Sequence, residues 1–234
     1  MEEEGSPCKE DEISAMIKDR SMIYLDIVKN YPCSFGKVTS KKERQTKNLC
    51  SQNLTYGEIV YSSIAEVFEF IKEEYGSFMK PGGTFIDLGS GIGKGVITGA
   101  LLHEFEECLG VEILDDLYQK STELREVFYD YMSKLLKKKS NPFDYSVIPE
   151  IKLYHADIIE FDWAHADFVL INSTCFDLDL MAKIYEKAKA LKEGSYILTL
   201  TKKLPANDEF EMIFQAKKPM SWADATVNLY KKVK

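Results

Sequence analysis

The stretch FIDLGSGIGKG, residues 85–95, decides how the rest of the chain is read. An apolar run ends in Asp87, and Gly89, Gly91 and Gly93 follow at alternate positions. Glycines so spaced allow a tight turn and close backbone approach to a ligand. Between a strand and a helix, they mark the ligand end of a doubly wound sheet. A carboxylate at the mouth of that turn would repel a phosphate. The turn therefore reads as a site for a ligand without phosphate.

Working outward, the apolar run at 84–88 is a strand and 94–104 the helix that follows it. Buried strands are expected at 108–113, 151–157, 166–172 and 195–202, with helices at 115–139 and 177–191 among them. Two late strands, near 210–217 and 226–233, have no clear helix between them and read as an antiparallel hairpin. Upstream, Ile64, Val67, Phe68, Ile71 and Tyr75 recur at helical spacing and predict a helix over 59–76. A further helix is expected at 12–30, with Ile13, Ile17, Leu25 and Val28 on its apolar side. The segment 30–53 has turn formers and charge but little periodicity, and reads as a loop or arm. The expected fold is α/β: a mostly parallel sheet, an antiparallel edge hairpin and a helical N-terminal cap. The expected organisation is an acidic disordered tail over 1–12, a helical cap and basic arm over 13–58, and the ligand-binding α/β domain over 59–234.

Three expected strands end on carboxylates, namely Asp87, Glu112 and Asp157. A carboxylate closing the second strand suits a ribose diol, because it accepts both hydroxyl hydrogens. Asp157 suits an adenine amino group, and Asp87 the cationic amino-acid end of a ligand. S-adenosyl-L-methionine has a sulfonium, an ammonium, a ribose and an adenine, and no phosphate. It satisfies all three positions.

Bulk properties narrow the partners. The 234 residues carry a formal charge of −8, and residues 1–12 hold six acids against one lysine. Residues 37–47, KVTSKKERQTK, hold five bases against one acid, and KLLKKK at 134–139 is a second basic cluster. Lysine and arginine clusters attract phosphates and acidic surfaces, so 37–47 is a candidate contact for nucleic acid. The longest apolar stretches are too short to span a bilayer, and no membrane partner is expected. The acidic start lacks the layout of a secretory signal. The five cysteines are odd in number and show no metal-ligand spacing, so reduced thiols in nucleus or cytoplasm are expected. No metal site is expected.

In order along the chain stand TYGEI at 55–59, the glycine stretch, GVE at 110–112, AD at 156–157, INSTCF at 171–176, LKEGSYIL at 191–198 and MSW at 220–222. This set resembles the disruptor-of-telomeric-silencing (Dot1-like) family, the non-SET lysine methyltransferases that act on a nucleosomal core histone. The resemblance covers residues 50–234 and implies a class I, seven-stranded, Rossmann-like methyltransferase fold. It implies that Tyr56 and Glu58 belong to a loop closing over the methionine part of the cofactor. Asp87, Gly89 and Lys94 would lie along its amino-acid end, with Lys94 where the family usually has glutamine. Glu112 would hold the ribose, and Asp157 with Ile158 the adenine. Asn172 would stand at the mouth of the lysine channel facing the methyl, and Trp222 would help wall that channel. The chain departs from the family at Ile59, where threonine is usual, at Ser173, where a second asparagine is usual, and at Leu229, where a tyrosine is common. It also ends at YKKVK, without the family's basic nucleosome-binding tail, which makes 37–47 the expected docking element.

Methyl transfer from a sulfonium to an amine needs alignment more than an acid–base pair. Aromatic walls from Tyr56, Phe176 and Trp222 would exclude water and accommodate a methylated ammonium. The expected function is protein-lysine methylation, on a histone for preference. Two other readings compete: methylation of another protein or a small amine on the same fold, and a cofactor-binding regulatory module without turnover.

Overall fold

The computed structural model describes residues 9–78, 80–137, 148–206 and 208–234 of the chain, with side chains from residue 18 onward. Among them, six helices and seven strands succeed one another. They are α1 (Lys9–Val28), α2 (Cys33–Thr46), α3 (Tyr61–Tyr75), β1 (Thr84–Leu88), α4 (Lys94–Leu102), β2 (Glu107–Glu112), α5 (Asp115–Leu135), β3 (Glu150–His155), β4 (Phe168–Ile171), α6 (Leu178–Ala188), β5 (Tyr196–Leu200), β6 (Phe210–Pro219) and β7 (Asp224–Lys232). The strands form one sheet in the order β3-β2-β1-β4-β5-β7-β6. β1 to β5 run parallel, and β7 pairs antiparallel with both β5 and β6. This is the class I methyltransferase fold, with the expected hairpin at its edge.

Burial explains the strand sequences. β4 and β5 are buried at every residue, so they read as continuous apolar runs rather than alternating ones. Phe68 of α3 lies over Phe168, with ring centroids 4.6 Å apart, and Phe85 stacks on Phe168 at 5.6 Å. The other sheet face carries a separate cluster around Trp163, whose indole N–H donates to the Ile158 carbonyl at 3.0 Å. The sheet order reverses at β1, between β2 and β4, and in such sheets the crevice beyond the carboxyl ends at that point takes the ligand.

Two expectations about the N-terminal region change. The stretch expected as a loop or arm is largely helical, because α2 packs on α5 and so gains burial that its own periodicity does not advertise. The apolar side of α1 is Ile23, Tyr24, Ile27 and Val28, joined to the main core, while Leu25 is exposed. Residues 9–12 of the expected tail begin α1, while residues 1–8 of it, the Ile13 and Ile17 side chains and the last two lysines of the second basic cluster lie outside what the structure describes. No helix among the described residues is long and apolar enough to cross a membrane.

Candidate active site

A strap over 51–58 crosses the carboxyl ends of β1 and β4, and local bonds hold it there. The Ser51 hydroxyl accepts from the Asn53 amide N–H at 3.2 Å, opening a single 3-10 turn over Gln52–Leu54. Asn53 and Asp177 then bond reciprocally: Asn53 Nδ2 donates to Asp177 Oδ2, and the Asp177 N–H to Asn53 Oδ1, both at 2.9 Å. Further along, Glu58 N–H donates to Ser221 Oγ at 3.0 Å and Ser221 N–H to the Glu58 carbonyl at 3.1 Å. The strap is thus tied to α6 at one end and to the β6–β7 turn at the other.

Tyr56 is wedged between two glycines. A Cβ at Gly91 (φ 56°) would lie 2.6 Å from its ring, and a Cβ at Gly36 of α2 would overlap the ring outright. Its hydroxyl donates to Glu58 Oε1 at 2.7 Å. Burial first, and the Glu58 carboxylate second, hold the phenol well above its ordinary pKa. The other Glu58 oxygen accepts from Lys94 Nζ, also at 2.7 Å, in an ion pair with both side chains buried.

The strand-end acids face the same space. Glu112 Oε2 accepts from the Gly91 N–H at 2.7 Å and Oε1 from the Leu114 N–H at 2.8 Å. Each carboxylate oxygen keeps a further lone pair for a hydroxyl. Burial raises the Glu112 pKa, while the backbone donors act against that rise. Asp87 has no such support. Burial, with Glu112 nearby, pushes it up to about 8. Asp157 closes the turn after β3, its Oδ1 accepting from the Ile159 N–H at 2.8 Å.

These residues line one cleft of about 630 Å³: Tyr56, Glu58, Asp87, Gly89, Gly91, Lys94, Glu112, Asp157, Ile158, Asn172 and Phe176. Gly93 does not line it and instead caps α4 with φ 87°. Trp222 lies on the far side of the strap, against Gly57, where it lines a second cavity of about 450 Å³. The aromatic set expected to wall one channel is therefore divided: Phe176 faces the first cavity, Trp222 the second, and Tyr56 both. Asn172 also faces both. Its Nδ2 donates to the Gly57 carbonyl at 2.9 Å, and its Oδ1 is buried without a partner.

Gly36, Glu43 and the Asn53–Asp177 exchange were not legible as site features. Glu43, nearly fully buried, accepts the Asp115 and Asp116 N–H groups at 2.9 and 2.8 Å and so caps α5 from α2. The one available signal was its being the single acid among the bases of 37–47.

The sequence pattern of the family described as "Histone methylation protein DOT1" matches residues 37–228. The chain belongs to the DOT1 family. It is 27% identical over 161 residues to a histone-lysine N-methyltransferase, H3 lysine-79 specific, of Debaryomyces hansenii, covering 69% of this chain and 13% of that protein. To the enzyme of the same name from Dictyostelium discoideum it is 30% identical over 126 residues, covering 52% of this chain and 6% of that protein. The chain thus spans a small part of the length of these relatives. The solved structure titled PH0851 superposes with a TM-score of 0.51 at 15% identity, covering 75% of this chain and 46% of that one, and shares the fold.

S-adenosylmethionine is the cofactor that goes with this family and fold, and the cleft's own chemistry agrees. Seven carboxylates and two lysines line it, one of the lysines already paired, so it suits a cationic ligand and not a pyrophosphate. Gly89 leaves its backbone open to the cleft, with the nearest side-chain atom, on Phe176, 3.8 Å from a Cβ placed there. Ser90 Oγ and Asn172 Oδ1 are buried and unpartnered beside it.

Proposed function

We propose that this chain transfers a methyl group from S-adenosylmethionine to a lysine ε-amine of a protein, a histone in the nucleosome being the substrate that the relatives' names favour. A histone substrate carries a nuclear location with it. The observation that carries the reading is Asn172, which lines both cavities and whose Oδ1 is buried without a hydrogen-bond partner. The cofactor, when bound, supplies an electrophilic methyl on a sulfonium. Glu112 is assigned to the ribose hydroxyls, Asp157 and Ile158 to the adenine, and Asp87 and Lys94 to the ammonium and carboxylate of the amino-acid end. The Gly57 carbonyl fixes the Asn172 amide, leaving Oδ1 to accept a hydrogen from the incoming amine and aim its lone pair. Tyr56 and Trp222, packed against glycine backbone on either side of the strap, keep water from the amine, and a dry channel favours its neutral form.

The departures from the family pattern have packing or bonding roles of their own. Ile59 is buried at the edge of the cleft, Leu229 is fully buried in β7, and Ser173 Oγ donates to the Leu200 carbonyl at 2.7 Å. None of them removes the Asn172 bond to Gly57, which favours an enzyme over a module without turnover.

The test is radiolabelled methyl transfer onto nucleosomes, free histones and a cell extract side by side, with wild type and Asn172→Ala. Histone labelling by wild type, and a fall in kcat with unchanged cofactor affinity in the variant, is the expected result. Label confined to another protein or to small amines would replace the histone assignment, and no label at all would favour the regulatory module.

A further inference from the structure

The second cavity has a positive rim. Lys37, Lys41 and Arg44 line it from α2, together with Asn172, Gly57 and Trp222, and among the described residues no acidic residue lines it. Their spacing of four and then three residues puts them on one helical face. The neighbouring base, Lys47, differs in kind: its Nζ bonds Glu43 at 2.6 Å and so belongs to the docking of α2. Among the described residues, Lys37, Lys41 and Arg44 enter no ion pair, and Arg44 Nε is buried without a hydrogen-bond partner.

Three free cations around the entrance for a lysine are at first sight the wrong charge. Like charge disfavours the ammonium and so favours the neutral amine that attacks, yet it also weakens binding of the lysine itself. Attraction must come from elsewhere on the substrate. These cations line the same cavity as Asn172, so the groups they meet belong to residues adjoining the acceptor lysine and not to a remote surface. We propose that Lys37, Lys41 and Arg44 are specificity residues that select an acceptor lysine flanked by aspartate or glutamate on its own polypeptide. The inference rests on the lysine-methylation reading above. It assigns the basic segment to the substrate's acidic flank and not to nucleic acid.

The experiment measures binding of short fluorescent peptides to the full chain by anisotropy, with S-adenosylhomocysteine present. Each peptide carries one lysine flanked on both sides by Asp, by Asn or by Arg, and a short DNA duplex serves as competitor. The Asp-flanked peptide is expected to bind about five- to tenfold more tightly than the Asn-flanked one, the scale of two partly shielded ion pairs. Lys41→Gln with Arg44→Gln should remove that preference, while Lys41→Arg with Arg44→Lys should keep it, both variants retaining the wild-type melting temperature. Equal binding of the peptides, including no detectable binding of any, overturns the proposal. So does a duplex whose binding, and not that of the peptides, depends on Lys41 and Arg44. Methyl transfer to the same peptides separates the two readings. Flank-dependent binding with no transfer to these peptides, to nucleosomes or to free histones would sink the methylation reading and leave the rim as a site for acidic peptide, whereas transfer at equal rates to all three peptides would do the reverse.

Discussion

The Lys94 ammonium meets the Glu58 carboxylate at 2.7 Å, with both side chains more than nine-tenths buried. Lys94 opens α4, and the N-terminus of a helix is a poor place for a cation. Glu58 supplies the compensating charge from the strap, and its second oxygen takes the Tyr56 hydroxyl hydrogen. Lys94 thus binds the strap to the glycine turn by charge.

Removing the two partners should have unequal effects. Glu58→Gln strands a buried ammonium at a helix N-terminus and should cost about 3–5 kcal/mol of stability. Lys94→Gln leaves Glu58 its bond from Tyr56, and it should cost less. The double variant should recover much of the Glu58→Gln loss. Urea denaturation of the three proteins gives the coupling, and additive losses would show that the pair is not a unit.

Asp87 gives the cleft a pH signature. Its folded pKa of about 8 lies above the ordinary 3.8, raised by burial and by Glu112. Below 3.8 the group is protonated folded or unfolded and contributes nothing to the pH dependence. Between 3.8 and 8 the unfolded chain ionises while the folded one holds its proton, so stability falls as pH rises through that window. A cationic ligand end prefers the ionised carboxylate, so S-adenosylmethionine affinity should rise with pH toward 8 and level off above it. Asp87→Asn should flatten both dependences and raise the melting temperature near neutral pH. Melting temperatures across the pH range check the first dependence and calorimetric titration the second, and a cofactor affinity that does not change with pH would refute the assignment.

Glu112 holds two backbone donors as well as its proposed ribose diol. Glu112→Gln keeps one acceptor oxygen and turns an amide N–H₂ toward either the Gly91 or the Leu114 N–H. Cofactor affinity should fall by about 1.5–3 kcal/mol and stability by about 1–2 kcal/mol. Titration calorimetry and urea melts together decide. A stability loss with unchanged affinity would leave Glu112 as a turn-holding residue alone.

Where the local signal and the tertiary outcome agree, the fold is legible from the chain. The apolar runs of β1, β2, β4 and β5 are buried on both sides, Glu112 ends β2, and Asp87 stands one residue before the end of β1. The turn glycines announce Gly91's close approach to Tyr56 but not the second glycine in the wedge, Gly36. That residue sits inside a helix whose formation depends on packing against α5, 72 residues away at the Glu43–Asp115 bond. Asn172 was legible only through the family motif. Its free Oδ1 depends on Gly57, 115 residues distant, and no local spacing encodes that bond.

Glu43 provides the final prediction, because one side chain couples the basic helix to the rest of the site. Its two oxygens take the Asp115 and Asp116 N–H groups at the positive end of α5, a favourable place for a carboxylate, and Lys47 bonds it from the solvent side. α2 carries Gly36 against the Tyr56 ring, so an α2 that lifts from α5 also frees Tyr56 and the strap. Glu43→Ala should cost about 1–3 kcal/mol, the scale of two lost charged hydrogen bonds and their orphaned donors. Hydrogen exchange should quicken at 33–46 and at 51–58 together, while the β6–β7 ladder keeps wild-type protection. Glu43→Gln, which retains one acceptor oxygen, should show a smaller rise in the same two segments. Faster exchange limited to the first turn of α5 would mean that Glu43 only caps that helix, and that the strap is held in place without α2.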